Sequence, residues 1–364
     1  MRLHIKSRLS TLKTSIKEWA IEHGYIEYDP SKIRVWGGGI LSEDVDAAIK
    51  KFAPMEDSPE LRADIVNSYR LYGANPTEYF LYELQNQTPQ QRSSWLFDIW
   101  KDKACLRVAG ERGISVYKEL ERKYEFYQMT KQFYYRDACK IEVENDWYYF
   151  EKFVKKHLRF IAKPMNGSYG AGTHIEECSH DDYKNVFERL LKEGAWMIEE
   201  LIIQHDAFAA WNESSVNSVR IPMFRYRGGY SCYAPFLRTG RKGMVVDNAG
   251  SGGIFAFVDN ETGVVITDGR DESGMDYVKH PDSGITYKGW QIPDWCRLIE
   301  LAREVHKTLP LYHKYVAFDF AYRKTKDGSG EWVLVEGNWG QFIVQQTSSK
   351  IPMKKDFEKL MYEE

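Results

Sequence analysis

Apolar residues recur along this chain in rhythms that change from segment to segment, and the order of those changes predicts an α+β architecture. From residue 59 to 135 the spacing is mostly helical, with Pro76 and the polar stretch 86–92 as breaks. A short apolar run at 160–162 then leads into Lys163, a loop with glycines at 167, 170 and 172, and a second strand-like run. Ser179 and Asp182 have the spacing of a capping box, and Tyr183, Val186, Phe187, Leu190 and Leu191 follow on one helix face until Gly194. Residues 196–203 read as a buried strand. Strand, glycine turn, strand, helix and strand make a compact α+β lid.

Downstream, residues 219–226, 230–237, 254–258 and 264–267 read as strands separated by turns. Trp295, Leu298, Ile299, Ala302 and Val305 mark an amphipathic helix. Two apolar runs, 316–323 and 331–338, flank a polar glycine turn and predict a β-hairpin. At the start of the chain, Leu3, Ile5, Leu9, Leu12, Ile16 and Trp19 have near-helical spacing among five basic residues, Arg2, Lys6, Arg8, Lys13 and Lys17. That pattern favours a helix packed on its own domain over peripheral contact with an anionic membrane surface.

Charge and composition narrow the classes. A net charge of −3 over 364 residues argues against a general nucleic-acid binder. No apolar run nears the ~20 residues needed to span a bilayer. The 5 cysteines lie far apart with no Cys-x-x-Cys pair, which predicts reduced thiols in a cytoplasmic protein. Aromatics reach 15%, most of them expected in the core.

The chemistry concentrates in two places. Glycines at 167, 170 and 172 let backbone N–H groups turn toward an anion beside Lys163, so the segment reads as a phosphate cover with a cationic partner. It has no Walker-type spacing, which points to a nucleotide-binding hairpin of another class. In the predicted 316–338 hairpin, a symmetric turn centred between 327 and 328 sets Asp319 opposite Glu336, with Asn338 projecting from the same face. Two opposed carboxylates on an apolar hairpin repel, and a divalent cation such as Mg²⁺ compensates them.

These features in this order resemble the ATP-grasp superfamily of ATP-dependent carboxylate–amine ligases. The resemblance covers roughly residues 120–345 and implies the ATP-grasp fold, two α+β subdomains gripping ATP, behind a mainly helical N-terminal region. It implies nucleotide contacts from Lys163, Gly167, Ser168, Gly170 and Gly172, and from an upstream lysine, Lys123 in preference to Lys131. In the hinge it implies that Glu199, Glu200, Leu201 and Ile202 meet the adenine edge and Asp206 the ribose. Arg220 matches the strand arginine near the phosphates. Arg238, with Ser251, Gly252 and Gly253 of Asn248-Ala-Gly-Ser-Gly-Gly253, matches the groups that hold an acyl phosphate. Asp319, Glu336 and Asn338 match the metal ligands.

The stretch Tyr69-Arg-Leu-Tyr-Gly-Ala-Asn-Pro-Thr-Glu-Tyr79, with Lys123, Tyr135-Arg136 and Ser218-Val-Arg220, is similar to the ATP-grasp proteins associated with sugar transfer and surface-polysaccharide assembly. The implied organisation is a helical accessory region over 1–115, an ATP-grasp domain over 116–350 and a tail over 351–364. Within the domain the lid covers about 140–204 and the catalytic subdomain about 205–350. The implied activity is ADP-forming amide synthesis from a small or glycan-linked carboxylate and an amine, with ATP and Mg²⁺. A kinase of the same fold acting on a hydroxyl and a nucleotide-binding accessory protein are the alternatives. His174 and His205 are expected to be structural. Lys242 and Gln341 are possible acceptor contacts.

Overall fold

The computed structural model describes residues 40–110, 119–120, 122–165, 172–248, 250 and 252–362. The helix expected over residues 1–22 lies outside them, as do Gly167, Ser168, Gly170 and Ser251. The described residues form two compact units that divide between Ile99 and Trp100.

The first unit is helical: α1 (Ser42–Phe52), α2 (Pro59–Tyr72), α3 (Pro76–Leu81) and α4 (Pro89–Ser94). Pro59, Pro76 and Pro89 each sit in the first turn of a helix, where a missing N–H costs nothing because that donor has no partner in the helix. Pro76 and the 86–92 stretch, read as interruptions, therefore both contain helix starts. Reciprocal caps seal two of them, Asn75 with Glu78 and Thr88 with Gln91. Helix α5 (Asp98–Ala109) crosses the division.

The second unit holds two antiparallel sheets. The smaller is built from β1 (Ala138–Ile141), β2 (Arg159–Pro164), β3 (His174–Glu177) and β4 (Trp196–Glu200) in the order β1-β4-β2-β3. Its core lies against α7 (Trp147–Val154) and α8 (Tyr183–Glu193), where Phe150, Phe160, Phe187 and Leu190 interlock. Helix α6 (Lys123–Thr130) precedes β1 in sequence. The expected capping box is half made: the Ser179 N–H donates to Asp182 at 2.7 Å, but the Ser179 hydroxyl accepts from Asp181. The strand expected over 196–203 stops at Glu200, where the chain leaves for the second sheet. There the Ile203 carbonyl accepts from Lys324 and the Tyr322 carbonyl from His205.

After the short helix α9 (Asp206–Ala209) come β5 (Ser218–Tyr226), β6 (Gly229–Cys232), β7 (Phe236–Thr239), β8 (Ile254–Phe257), β9 (Gly269–Arg270) and β10 (Asp276–Tyr277). Helix α10 (Trp295–Thr308), strands β11 (Tyr315–Lys324) and β12 (Gly330–Asn338), and helices α11 (Ile343–Ser349) and α12 (Lys354–Tyr362) complete the unit. The larger sheet runs β10-β9-β8-β7-β5-β11-β12, with β6 also on β5. The single strand expected over 230–237 is two, because Ala234 takes φ +58° and Pro235 has no N–H to give a ladder. Residues 264–267 form isolated bridges only, Val258 with Val265 and Val264 with Gln291.

The β11–β12 hairpin pairs Asp319 with Glu336, as a symmetric turn requires, but by another route. Nearer the turn the register is Phe320 with Leu334, so an extra residue on β12 shifts the pairing before Asp319. Gly337 then faces away from Glu336 and Asn338. A Cβ there would lie 2.4 Å from the Phe126 ring of α6, so only glycine lets that helix dock. Gly337→Ala is expected to lower stability by about 1–3 kcal/mol through overpacking. Urea unfolding tests this, and adding Phe126→Leu should recover much of the loss.

Candidate active site

Asp319 sits in mid-strand on β11, opposite Glu336 on β12 and opposite Arg220 on β5. Side chains directly opposed on neighbouring strands share a face, so these three form one row across the sheet. Arg220 donates through Nε and Nη2 to the two carboxylate oxygens of Asp319, each at 2.6 Å. Arg238 on β7 donates through Nη1 to the same carboxylate at 2.7 Å. Its Nη2 turns to Asp247 at 2.8 Å and to the Asn248 side chain, and the Ser218 hydroxyl also donates to Asp247. Asp319 is only 2% exposed, and its neighbours Arg238 and Asp247 are also buried.

Burial opposes the charge on Asp319, yet the paired guanidinium groups of Arg220 and Arg238 outweigh it and hold the carboxyl below its usual range. Glu336 moves the other way. Burial, then the negative charge of Asp319, push its carboxyl up, while the nearby cations of Lys123, Lys163 and Arg220 pull against them. The repulsion expected between the two acids is thus settled on Asp319 by arginines and remains on Glu336. Asp247 is also raised, by burial that Arg238 only partly offsets.

The smaller sheet brings the lysines. Lys163, near the end of β2, pairs through Nζ with Glu199 of β4 at 2.6 Å. Glu199 is 1% exposed and also accepts from Arg136 Nε at 2.7 Å. Arg136 Nη1 reaches the Leu334 carbonyl of β12 at 2.6 Å, so one buried guanidinium ties Glu199 to the β11–β12 hairpin. Although burial works against it, the two cations hold the Glu199 carboxyl below its usual range. Lys123, at the start of α6, donates to the Pro164 carbonyl at 3.2 Å, next to Lys163. Lys131, the alternative, is exposed at the far end of that helix.

The hinge residues divide. Glu199 is turned inward onto Arg136 and Lys163. The Glu200 N–H donates to the Asp137 carbonyl. Leu201 and Ile202 lie beyond the strand with no backbone hydrogen bond to other described residues, leaving an edge of the kind that can read a purine. Asp206, with its side chain 76% exposed, pairs with Lys324 at 2.8 Å. His205 caps α9 and His174 pairs with Glu176, so both have structural partners.

Of the glycine loop, Gly172 is described, at φ +76° where the chain enters β3. In the second turn Gly252 takes φ +79°, and the Gly253 N–H donates to the Asn248 carbonyl at 3.0 Å. A Cβ on Gly253 would lie 2.1 Å from the Asp247 carbonyl oxygen, so this turn closes only with glycine. Sequence reasoning missed Arg136 and Asp247 as members of the network. Asp247 stands directly before the glycine-rich turn, which is a usable signal; nothing in the spacing connects Arg136 to Glu199. Lys242 donates its N–H to Asp282.

Asp319, Glu336 and Asn338 present hard oxygen donors on one face. The Asn338 carboxamide has no hydrogen-bond partner among the described residues, and the raised Glu336 carboxyl is one that a bound cation returns to its charged form. The donor set fits Mg²⁺.

Residues 95–351, well over half of the chain, match the family described as sugar-transfer associated ATP-grasp. No curated protein matches. Similar solved structures include N5-carboxyaminoimidazole synthetase from Staphylococcus aureus complexed with ADP, at 10% identity over 61% of this chain and 46% of that one, TM-score 0.37. Another is L-amino acid ligase from Bacillus licheniformis, at 10% identity over 67% and 48%, TM-score 0.39. A third is VanG D-Ala:D-Ser ligase from Enterococcus faecalis, at 11% identity over 66% and 61%, TM-score 0.41. The chain spans less than half the length of the first two. No described helix is long and apolar enough to cross a membrane. With its two antiparallel sheets and a match over residues 95–351, the chain belongs to the sugar-transfer associated ATP-grasp family and has the ATP-grasp fold.

Proposed function

We propose that this protein is an ATP-dependent ligase that joins a carboxylate to an amine through an acyl phosphate, releasing ADP and phosphate. The observation that carries the reading is the row Arg220–Asp319–Glu336, on whose Glu336 the charges of Lys123 and Lys163 also act. Lysines from β2 and α6 act on the oxygen donors of the larger sheet, where this reading holds the polyphosphate.

In this reading Lys163 and Lys123 bind the α- and β-phosphates, and Glu199 with Arg136 fixes the position of Lys163. Main-chain groups of Leu201 and Ile202 meet the adenine edge, and Asp206 turns from Lys324 to the ribose. Gly167, Ser168, Gly170 and Gly172 cover the phosphates and exclude water. A Mg²⁺ ion held by Asp319, Glu336 and Asn338 would draw charge from the β- and γ-phosphate oxygens. An oxygen of the substrate carboxylate attacks the γ-phosphorus as its bond to the bridging oxygen breaks, and ADP leaves. The amine nitrogen then attacks the acyl carbon, phosphate departs, and the amine loses its proton. Arg220 orients the phosphoryl group. Arg238, with the turn at Ser251, Gly252 and Gly253, meets the oxyanion, the Gly253 N–H once its bond to Asn248 opens. Each such donor is worth about 10²–10³ in rate.

The family description supports substrates drawn from sugar chemistry; we extend this to a product that serves a surface polysaccharide or glycopeptide. An ATP-consuming enzyme with unpaired cysteines suits the cytoplasm. The test is ADP and phosphate release with Mg²⁺-ATP across amino acids, sugar acids and amino sugars, with product masses. Release that needs both a carboxylate and an amine, with a new amide mass, is expected. A phosphorylated hydroxyl with no amide would assign a kinase instead.

A further inference from the structure

Beyond the phosphate and metal groups, several buried polar atoms of β9 and of the helix that packs on it have no hydrogen-bond partner among the described residues. Arg238 on β7 is opposite Phe255 on β8, which is opposite Arg270 on β9. These side chains share a face, and Arg238 lies two residues from Phe236, the partner of Arg220. Arg270 therefore stands on the face of the catalytic row, two strand spacings, or about 10 Å, from Arg238.

Helix α11 covers this part of the sheet. The chain reaches it along the catalytic face: Tyr315 donates to the Gly340 carbonyl at 3.1 Å, and a Cβ on Gly340 would lie 3.5 Å from Arg220 Cδ. The helix then packs on β8 and β9. The opposite face there is filled by Tyr287, which is 2.6 Å from the Thr239 hydroxyl and would meet a Cβ on Gly269 at 2.5 Å.

Gln345 of α11 is 0% exposed, and neither its carboxamide nitrogen nor its oxygen has a hydrogen-bond partner among the described residues. Ser348, three residues on and so on the same helix face, has a hydroxyl with no partner among the described residues. Arg270 is nine-tenths buried. Its Nη1 pairs with the exposed Asp276 at 2.7 Å, while its Nε has no partner among the described residues. Native interiors rarely leave so many polar atoms unmet in one layer unless something else meets them. A cationic donor, an amide donor with its acceptor, and a hydroxyl together match a carboxylate flanked by hydroxyl groups.

We infer that Arg270, Gln345 and Ser348 recognise the non-reacting acidic end of a hydroxylated substrate whose other end lies at Arg238. This rests on the ligase reading, and it sets the substrate class as an acid with a second anionic group about one sugar length from the reacting one. The role is specificity, not phosphoryl transfer.

The test uses the full chain in calorimetric titrations with D-glucarate, a hydroxylated diacid, and with neutral D-glucitol. Each is run with and without Mg²⁺ and the non-hydrolysable analogue AMP-PNP. D-Glucarate is expected to bind saturably and D-glucitol not at all. Arg270→Met and Gln345→Leu should each weaken D-glucarate at least tenfold while AMP-PNP affinity stays within twofold. Gln345→Leu should also raise the unfolding temperature, because it removes unmet buried polar atoms, so lost binding cannot be put down to misfolding. Failure of D-glucarate to bind, or equal binding by wild type and Gln345→Leu, overturns the inference and assigns the layer to buried water. Failure of AMP-PNP to bind the wild type overturns the ligase reading instead.

Discussion

Glu336→Gln is expected to lower ATP turnover by about 10³-fold or more, which is ~4 kcal/mol of lost transition-state stabilisation. The same change should raise the unfolding temperature of the ligand-free protein at neutral pH. Both outcomes follow from the position of one carboxyl. Glu336 faces Asp319 across the hairpin, and burial together with that neighbouring charge pushes its titration upward. In the unfolded chain glutamate titrates in its ordinary range, while the folded chain keeps this proton to higher pH. Unfolding releases a proton across that interval, so the wild type loses stability as pH rises through it. Glutamine keeps the shape without the charge. The stability gap between variant and wild type should therefore widen from the ordinary glutamate range upward and then level off. Thermal unfolding from pH 4 to 8 measures it, and a constant gap, or near-normal turnover, would remove Glu336 from the site.

Arg238→Met should be the most destabilising single change in the network. Arg238 bridges Asp319, Asp247 and Asn248, and both of its carboxylate partners are buried. Among the described residues, its loss leaves Asp247 with the Ser218 hydroxyl and takes one of two guanidinium groups from Asp319. Removing one member of a buried ion pair usually costs about 3–5 kcal/mol, because the partner charge stays behind. Methionine fills much of the volume, so the cost reports charge more than a cavity. Adding Asp247→Asn should return a large share of it. Urea unfolding of the two variants decides the matter; a loss under about 1 kcal/mol for Arg238→Met would mean that Asp247 and Asp319 do not depend on it.

The elements with strong periodicity were legible in the chain. Val186, Phe187 and Leu190 of α8 and Leu298, Ala302 and Val305 of α10 are buried along one face, as the helical spacing requires. What failed is local in origin. An apolar-rich run at 230–237 gives no sign that Ala234 adopts φ +58°, and 264–267, though of strand composition, meets Val258 and Gln291 only in isolated bridges. The facing of Asp319 and Glu336 was legible from symmetry about the turn, although a bulge and not symmetry produces it. The two arginines on Asp319 were named from the sequence for phosphate work, and pattern alone could not show that both also neutralise an acid. Arg136 was beyond reach for another reason: it joins Glu199 and Leu334, 63 and 198 residues away, and such contacts leave no trace in local spacing.

The central claim is the acyl phosphate, and oxygen transfer tests it most directly. With the acid identified by the substrate panel and labelled with ¹⁸O in its carboxylate, phosphate released in the presence of the amine is analysed by mass spectrometry. Transfer of one ¹⁸O to phosphate per amide formed is the predicted result. Phosphate free of label, with ADP still produced, would contradict the claim.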